Sequence, residues 1–488
     1  MGKRGLRLIS LAAIPVLVFS ACSSTAATQS TAPVVTPTAG MSTPVASTPV
    51  TPPGVVGIRW FIGLGSGTQP SQIAAQKSFI ADYNANNKDN IKITDEIVPN
   101  ANAYDVLKTE IAAGNAPDII GPVGVKGRNG FEGLFLDLTS EIATQNFPVA
   151  AYDPTLISFF KSATDGQVGL PYDIFPGYIW YNKDTFSKYG VAPLPVKVGD
   201  QYQGKTWDWT ALQTVAQQLT IDKTGKNSTQ AGFDPNNIVK YGIDFQWADG
   251  RRMVSDFGAG SFVADDGVTA QIPDVWTAGF SWYYNAIWKL HIAPNGTAEA
   301  STLLGAGNSQ SSGNVAMNAA WGWSISSIAS DAKTSKVKAW DMAVVPSVNG
   351  VTTAGMDADT FTIAKASKNP DQAFKAMVAI MADPTLMKVY GGEPAKTADQ
   401  AAYFTAFDAT LAPIFPGNKV TWSVLGEMQK HAAVPSIEAN MPNFTQASND
   451  YGAFYTKLQN KSGLDVTAEL SALKVTLQKD FDAVKSLG

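Results

Sequence analysis

A single cysteine, Cys22, stands in the whole chain of 488 residues, so no internal disulfide, thiolate zinc cluster or CxxC redox pair can form. Histidine is nearly as scarce. His291 and His431 are the only two, which leaves no HExxH helix, and neither a metal nor another cofactor is expected. Charge is thin as well: 16% of residues are Asp, Glu, Lys or Arg, with 41 acids against 36 bases and a net charge of −5. Without a basic excess, no nucleic-acid partner is expected. A hydrophobic share of 45% is that of a folded chain, and the length provides for two or three domains. The GxSxG elbow of serine hydrolases is absent, as is any internal repeat of the kind that builds adhesive surface proteins. A glycosidase needs only two placed carboxylates, so the acids leave a carbohydrate-active enzyme open as an alternative.

What is present begins with an address. Lys3, Arg4 and Arg7 precede an apolar run from Leu8 to Phe19, then Ser20, Ala21 and Cys22. The run is too short for a membrane span, which needs about twenty residues, and reads as a signal sequence over residues 1–21. Two small residues before the only cysteine resemble the lipobox of bacterial lipoproteins, although Phe19 stands where that pattern prefers Leu. The resemblance implies that Cys22 is lipidated, becomes the mature terminus and anchors the protein on the outer side of the cell membrane. Residues 22–54 lack charge and are rich in Thr, Pro, Ala and Val. They read as an extended tether, reaching up to roughly 100 Å at about 3.1 Å per residue.

The folded part starts near Val55. Val56 to Ile62 reads as a strand, and the Gly63 to Gly67 loop after it lacks the GxGxxG spacing of a dinucleotide site. A helix from Pro70 with Ile73, Ile80 and Tyr83 on one face follows, then a strand at Ile91 to Ile97. Next come a helix carrying Tyr104, Leu107 and Ile111 and a buried strand through Pro117 to Ile120. That alternation predicts an α/β lobe. Further on, the pattern predicts an aromatic strand at Tyr178 to Tyr181, a helix with Leu212, Val215, Ala216 and Leu219, and a strand at Tyr241 to Phe245. A long helix from Asp274 to Leu290 buries Trp276, Phe280, Tyr283 and Ile287. Strands at Trp340 to Val345 and Phe361 to Ala364 precede a helix capped by Asn369-Pro370, and the last hundred residues are mainly helical.

Several segments, in this order, resemble the bacterial extracellular solute-binding protein family that includes maltose-binding protein. They are Ala113 to Ile120, Leu170-Pro171 with Tyr181-Asn182-Lys183-Asp184, Thr206-Trp207-Asp208, Ala316-Met317 leading to Trp321-Gly322-Trp323, and Ser367-Lys368-Asn369-Pro370. The resemblance implies an α/β fold of two lobes, the type II periplasmic-binding-protein-like fold, with a hinge and a ligand cleft between them. Lobe one would comprise residues 55–171 plus 349–395, and lobe two 172–348 plus 396–488. It implies a non-catalytic monomer that closes on its ligand and delivers it to the permease subunits of an ABC importer.

Ten of the twelve tryptophans lie between positions 180 and 340. Sugar sites use aromatic platforms flanked by polar groups, so a carbohydrate ligand, an oligosaccharide, is expected; a peptide, polyamine or anion stays open as the alternative. Most of these tryptophans, among them Trp180, Trp276 and Trp288, fit core positions. Trp321 falls on the family's sugar-stacking tryptophan, with Trp323 beside it and Trp247 at the expected cleft edge. Tyr172 and Phe175 sit at the lobe boundary among the expected contacts, and Phe175 replaces an acidic sugar ligand of the maltose-binding relative. Asp357 and Asp359, Glu393 in Gly391-Gly392-Glu393-Pro394, and Ser66 and Gln69 after the first strand complete the candidate set. For the three acids, a solvated surface position is the competing reading.

Overall fold

The computed structural model describes residues 54–162, 165–246, 253–325, 328 and 334–485, which fall in one compact unit. Cys22 and the signal and tether segments lie outside the described residues, and so does Trp247.

Ten strands form one mixed sheet. They are β1 (Val56–Ile62), β2 (Ile91–Ile97), β3 (Ile119–Val123), β4 (Leu170–Asn182), β5 (Ile221–Asp222), β6 (Ile238–Asp244), β7 (Val315–Trp321), β8 (Trp340–Ala343), β9 (Met356–Ile363) and β10 (Glu393–Pro394). Their order is β2-β1-β3-β9-β4-β7-β6-β5, with β8 and β10 also paired to β4. Strands β1, β2 and β3 are parallel to one another, as are β6 and β7, whereas every partner of β4 runs antiparallel to it.

The thirteen-residue β4 is the pivot of the sheet. Its first half pairs with β9 and β10, from Leu170 opposite Phe361 to Pro176 opposite Met356. Its second half pairs with β7 and β8, from Gly177 opposite Trp321 to Asn182 opposite Trp340. The sequence pattern predicts only Tyr178 to Tyr181 as strand, because Pro171 and Pro176 each remove a ladder donor. Here the prolines contribute acceptors instead: the Pro176 carbonyl takes the Gly322 N–H at 3.1 Å. All thirteen residues are buried.

Helices cover both halves: α1 (Pro70–Asn86), α2 (Asn100–Ala112), α3 (Trp209–Leu219), α4 (Asp274–Trp288), α5 (Pro370–Ala382), α6 (Pro384–Tyr390), α7 (Thr397–Leu411), α8 (Phe444–Asn460) and α9 (Val466–Lys485). One core gathers Trp60, Ile119, Tyr172, Phe361, Phe374 and Met377. A second gathers Trp180, Leu212, Val215, Leu219, Ile287, Met317 and Trp340. A third packs Trp276 and Phe280 of α4 against Tyr451, Phe454 and Leu477 of α8 and α9. Trp180 and Trp276 thus sit in cores as their spacing requires, and Trp288 is half-buried, its Nε1 donating to the Leu458 carbonyl at 2.9 Å.

Two helices differ in detail from the pattern. Helix α1 buries Gln72 and Gln76, while Ile73, Ile80 and Tyr83 are half-buried. The glutamines fasten the loop after β1: Gln72 Oε1 accepts from the Gly67 and Gln69 N–H groups, and Gln76 Nε2 donates to the Gly67 carbonyl and the Tyr390 hydroxyl. In α2, Ala103 and Leu107 are the buried residues, and Tyr104 stacks on Phe131 at 5.9 Å. Asn369 precedes α5 without a side-chain cap bond. Asp208 does cap α3, its Oδ1 accepting from the Ala211 N–H at 2.8 Å. Asp208→Ala is therefore expected to cost about 1 kcal/mol, read as a lower denaturant midpoint with an unchanged slope.

Candidate functional site

Where β4 changes partners, aromatic side chains meet. Trp321 ends β7 opposite Gly177, and its ring stacks on Trp323, with centroids 4.9 Å apart and planes 22° from parallel. Phe175 meets Trp323 edge-on at 5.7 Å. Gly322 keeps this close, because a Cβ there would lie 2.9 Å from the Phe175 Cα. Trp321 is only 3% exposed, and Trp323 is half-buried. The accessible part of the platform is therefore the Trp323 side.

Acids flank this cluster on β9 and β10. Asp357 is opposite Phe175, Asp359 is opposite Asp173, and Glu393 is opposite Ile174. Asp359 Oδ2 accepts from the Ser66 N–H at 3.2 Å, so the loop fastened by the α1 glutamines delivers Ser66 to this spot. Gly65 and Gly124 leave room for it, since a Cβ on either would press on the Asp359 carboxylate. Asp359 and Glu393 are 5% and 4% exposed, which overturns the solvated-surface reading for both; Asp357 is half-buried. Burial, with the charge of Asp357 added, pushes Asp359 up to about 7 against the opposing hydrogen bonds from Ser66. Burial pushes Glu393 up to about 8.

Asp173, not singled out from the sequence, is fully buried at the centre of this group. Burial and the charges of Asp359 and Asp357 hold its carboxyl well above the usual range. An acid inside the otherwise apolar stretch Leu170 to Asn182 is the signal that could have found it, since an acid is rarely fully buried without a purpose. Tyr172 packs edge-on against Phe361 and Tyr390, within the first core. Gln69 is exposed at the start of α1. The structure thus brings together Phe175, Trp321, Trp323, Asp357, Asp359 and Ser66, keeps Glu393 across β4 from them, and places Tyr172 in a core and Gln69 at the surface.

A separate cavity of about 540 Å³ lies beside the other edge of β4, lined by Tyr152, Tyr172, Met381, Met387, Pro394 and Tyr403 among others. Among the described residues, no group of three or more His, Cys, Asp or Glu is placed to hold a metal ion, and no helix is long and apolar enough to cross a membrane.

The sequence model of the bacterial extracellular solute-binding protein family matches residues 67–384. The chain belongs to that family. Membership makes it a solute-binding protein of the extracytoplasmic side, and the match takes in every element of the aromatic cluster. No curated protein matches the sequence. Among solved structures, an ABC substrate-binding protein of Listeria monocytogenes in complex with cycloalternan superposes with a TM-score of 0.64 at 17% identity, covering 87% of this chain and 98% of that one. The cyclic α-maltosyl-1,6-maltose binding protein of Arthrobacter globiformis gives 0.64 at 16%, covering 88% and 99%. The sugar-binding protein MalE of Xanthomonas citri gives 0.61 at 14%, covering 88% and 99%. These likenesses show the fold: this solute-binding protein has the two-lobed α/β architecture of periplasmic binding proteins, with β4 and β9 joining its two sheet halves.

Proposed function

We propose that this solute-binding protein captures a carbohydrate, an oligosaccharide, between its lobes and delivers it to the permease subunits of an ABC importer. The single observation that carries the ligand class is the Trp321–Trp323 stack at the pivot, edged by Phe175 and flanked by Asp357, Asp359 and Ser66. A sugar ring has an apolar C–H face bordered by hydroxyls, and an aromatic surface with acceptors beside it matches both. The sugars named for the neighbouring structures support the same reading. Lobe one takes residues 55–171 and 349–395, and lobe two takes 172–348 and 396–488. Ligand contacts made only in the closed form shift the population toward it. The protein works as a monomer and performs no chemistry on its ligand. Lipidated Cys22 holds it at the membrane through residues 22–54, and Trp247 joins the residues that contact the ligand.

A cationic solute such as a polyamine is the second reading, favoured by the acids Asp357 and Asp359 beside the aromatic cluster. Thermal denaturation against a panel of cyclic and linear glucans, polyamines and peptides separates the two. Binding to the folded state alone raises the melting temperature, and a hundredfold excess over Kd corresponds to about 2.7 kcal/mol. A rise with a glucan supports the carbohydrate reading. A rise with a polyamine and none with any sugar would replace it.

A further inference from the structure

The chain passes between its first two cores three times. It leaves the first along β4, returns into β9, and leaves again through β10 to α7, whose Phe407 and Leu411 pack in the second core. Each passage carries a buried carboxyl: Asp173 on β4, Asp359 on β9 and Glu393 on β10. They are neighbours across the sheet, Asp173 facing Asp359 on one side and Pro394 on the other. Gly392 lies so close that a Cβ there would overlap the Asp173 side chain.

Among the described residues, no cation pairs with two of these groups, Asp173 and Glu393. Neither oxygen of Glu393 has a hydrogen-bond partner among the described residues, and Asp173 has no side-chain donor, only the weak pull of its own N–H and that of Asp359 against the burial. Among the described residues, the groups that act most on Asp173 and its neighbours are acids and phenols: Asp357 on β9, Tyr172 on β4, Tyr390 on α6 with Asp383 at its start, and Tyr403 on α7, which senses both Asp173 and Glu393. Burying a carboxylate without a partner is prohibitive, whereas burying a neutral carboxyl is tolerable. The cavity beside β4 has walls from α5 and α6 on one side and α7 on the other, so there is space beside the crossing segments into which they can shift.

We propose that Asp173, Asp359 and Glu393 form a proton-dependent latch on the three crossing segments, which keeps them packed while protonated and loosens them when ionised. The three carboxyls are raised, Asp359 to about 7, Glu393 to about 8 and Asp173 well above its ordinary range. Hydrated carboxyls titrate near 4. The packed form therefore binds more protons between these limits, is most favoured below about pH 4, and loses its advantage as pH rises through about 7 to 8. This inference concerns the hinge and stands whether or not the ligand is a sugar.

Hydrogen exchange of the full chain, followed by mass spectrometry at pH 6 and pH 9 and corrected for the intrinsic rate, tests it without any ligand. Protection in residues 170–176, 356–361 and 391–396 is expected to fall about tenfold or more at pH 9, while the β1–β2 pair keeps its protection. A chain carrying Asp173→Asn and Glu393→Gln keeps only Asp359 of the three to ionise and is expected to show a clearly smaller drop than the wild type. Should it fail to fold, Glu393→Gln alone is expected to reduce the drop. Equal protection of the wild-type segments at both pH values overturns the latch, and so does a drop in the variant as large as in the wild type.

Discussion

Trp321→Ala is expected to weaken oligosaccharide binding about a hundredfold, or roughly 2.7 kcal/mol, the range of an aromatic hot spot. The structure adds a second expected cost. Trp321 is 3% exposed and stacked on Trp323, so its truncation also removes packing, worth about 3–5 kcal/mol for a fully buried tryptophan. Calorimetric titration reads the first effect and thermal denaturation the second. Trp323→Ala supplies the contrast: the ring is half-buried, so binding should suffer comparably with a smaller loss of stability. If Trp321→Ala melts earlier but keeps its affinity within twofold, the residue is core alone and the sugar contact lies elsewhere.

Gly242→Ala is expected to be among the most destabilising single-atom additions to the chain. Gly242 of β6 lies directly beneath α3, and an added Cβ would overlap the Ala216 carbonyl oxygen and lie 2.6 Å from its Cα. Both are backbone, so no side chain can rotate away. Separating helix from strand would also strain the link through Thr220, whose Oγ1 accepts the Gly242 N–H at 3.0 Å and donates to the Ala216 carbonyl at 2.8 Å. Overpacking of this kind costs about 1–3 kcal/mol, and the lost hydrogen bonds add about 1 kcal/mol more. Gly452→Ala is the control. That glycine lies inside α8 with nothing within 4 Å, so alanine there should stabilise by up to about 1 kcal/mol. Urea unfolding of both variants decides it: equal midpoints for Gly242→Ala and wild type would mean that α3 moves freely over the sheet.

The two results bear on different levels of the sequence reading. The family was legible through motifs that include Trp321-Gly322-Trp323, and the match over residues 67–384 shows it; the sugar contact of Trp321 is what the titration decides. The stacking partner of Trp321, its burial and the edge contact of Phe175 were not legible, because they depend on β4 crossing β7 at Gly177. Gly242 carried no signal at all, since its approach to Ala216, 26 residues earlier on α3, leaves no local pattern.

The sequence by itself determined what depends on neighbours along the chain. The apolar alternation of Val56 to Ile62 and Ile91 to Ile97 specified β1 and β2 to the residue, and the three-to-four spacing of Trp276, Phe280, Tyr283 and Ile287 specified the buried face of α4. The composition limited the metal and redox chemistry open to the chain, and the ordered motifs pointed to the family. Tertiary structure alone decided what depends on partners distant in the chain. It made one thirteen-residue strand of a proline-interrupted stretch by giving each half different neighbours, and it turned Gln72 and Gln76 into the fasteners of the Ser66 loop. It also buried Asp173 and Asp359 side by side, with Glu393 across β4 from them, from positions up to 220 residues apart. Burial and charge repulsion act through space, so the pKa of a carboxyl, and any switch built on it, comes into being only when the chain has folded.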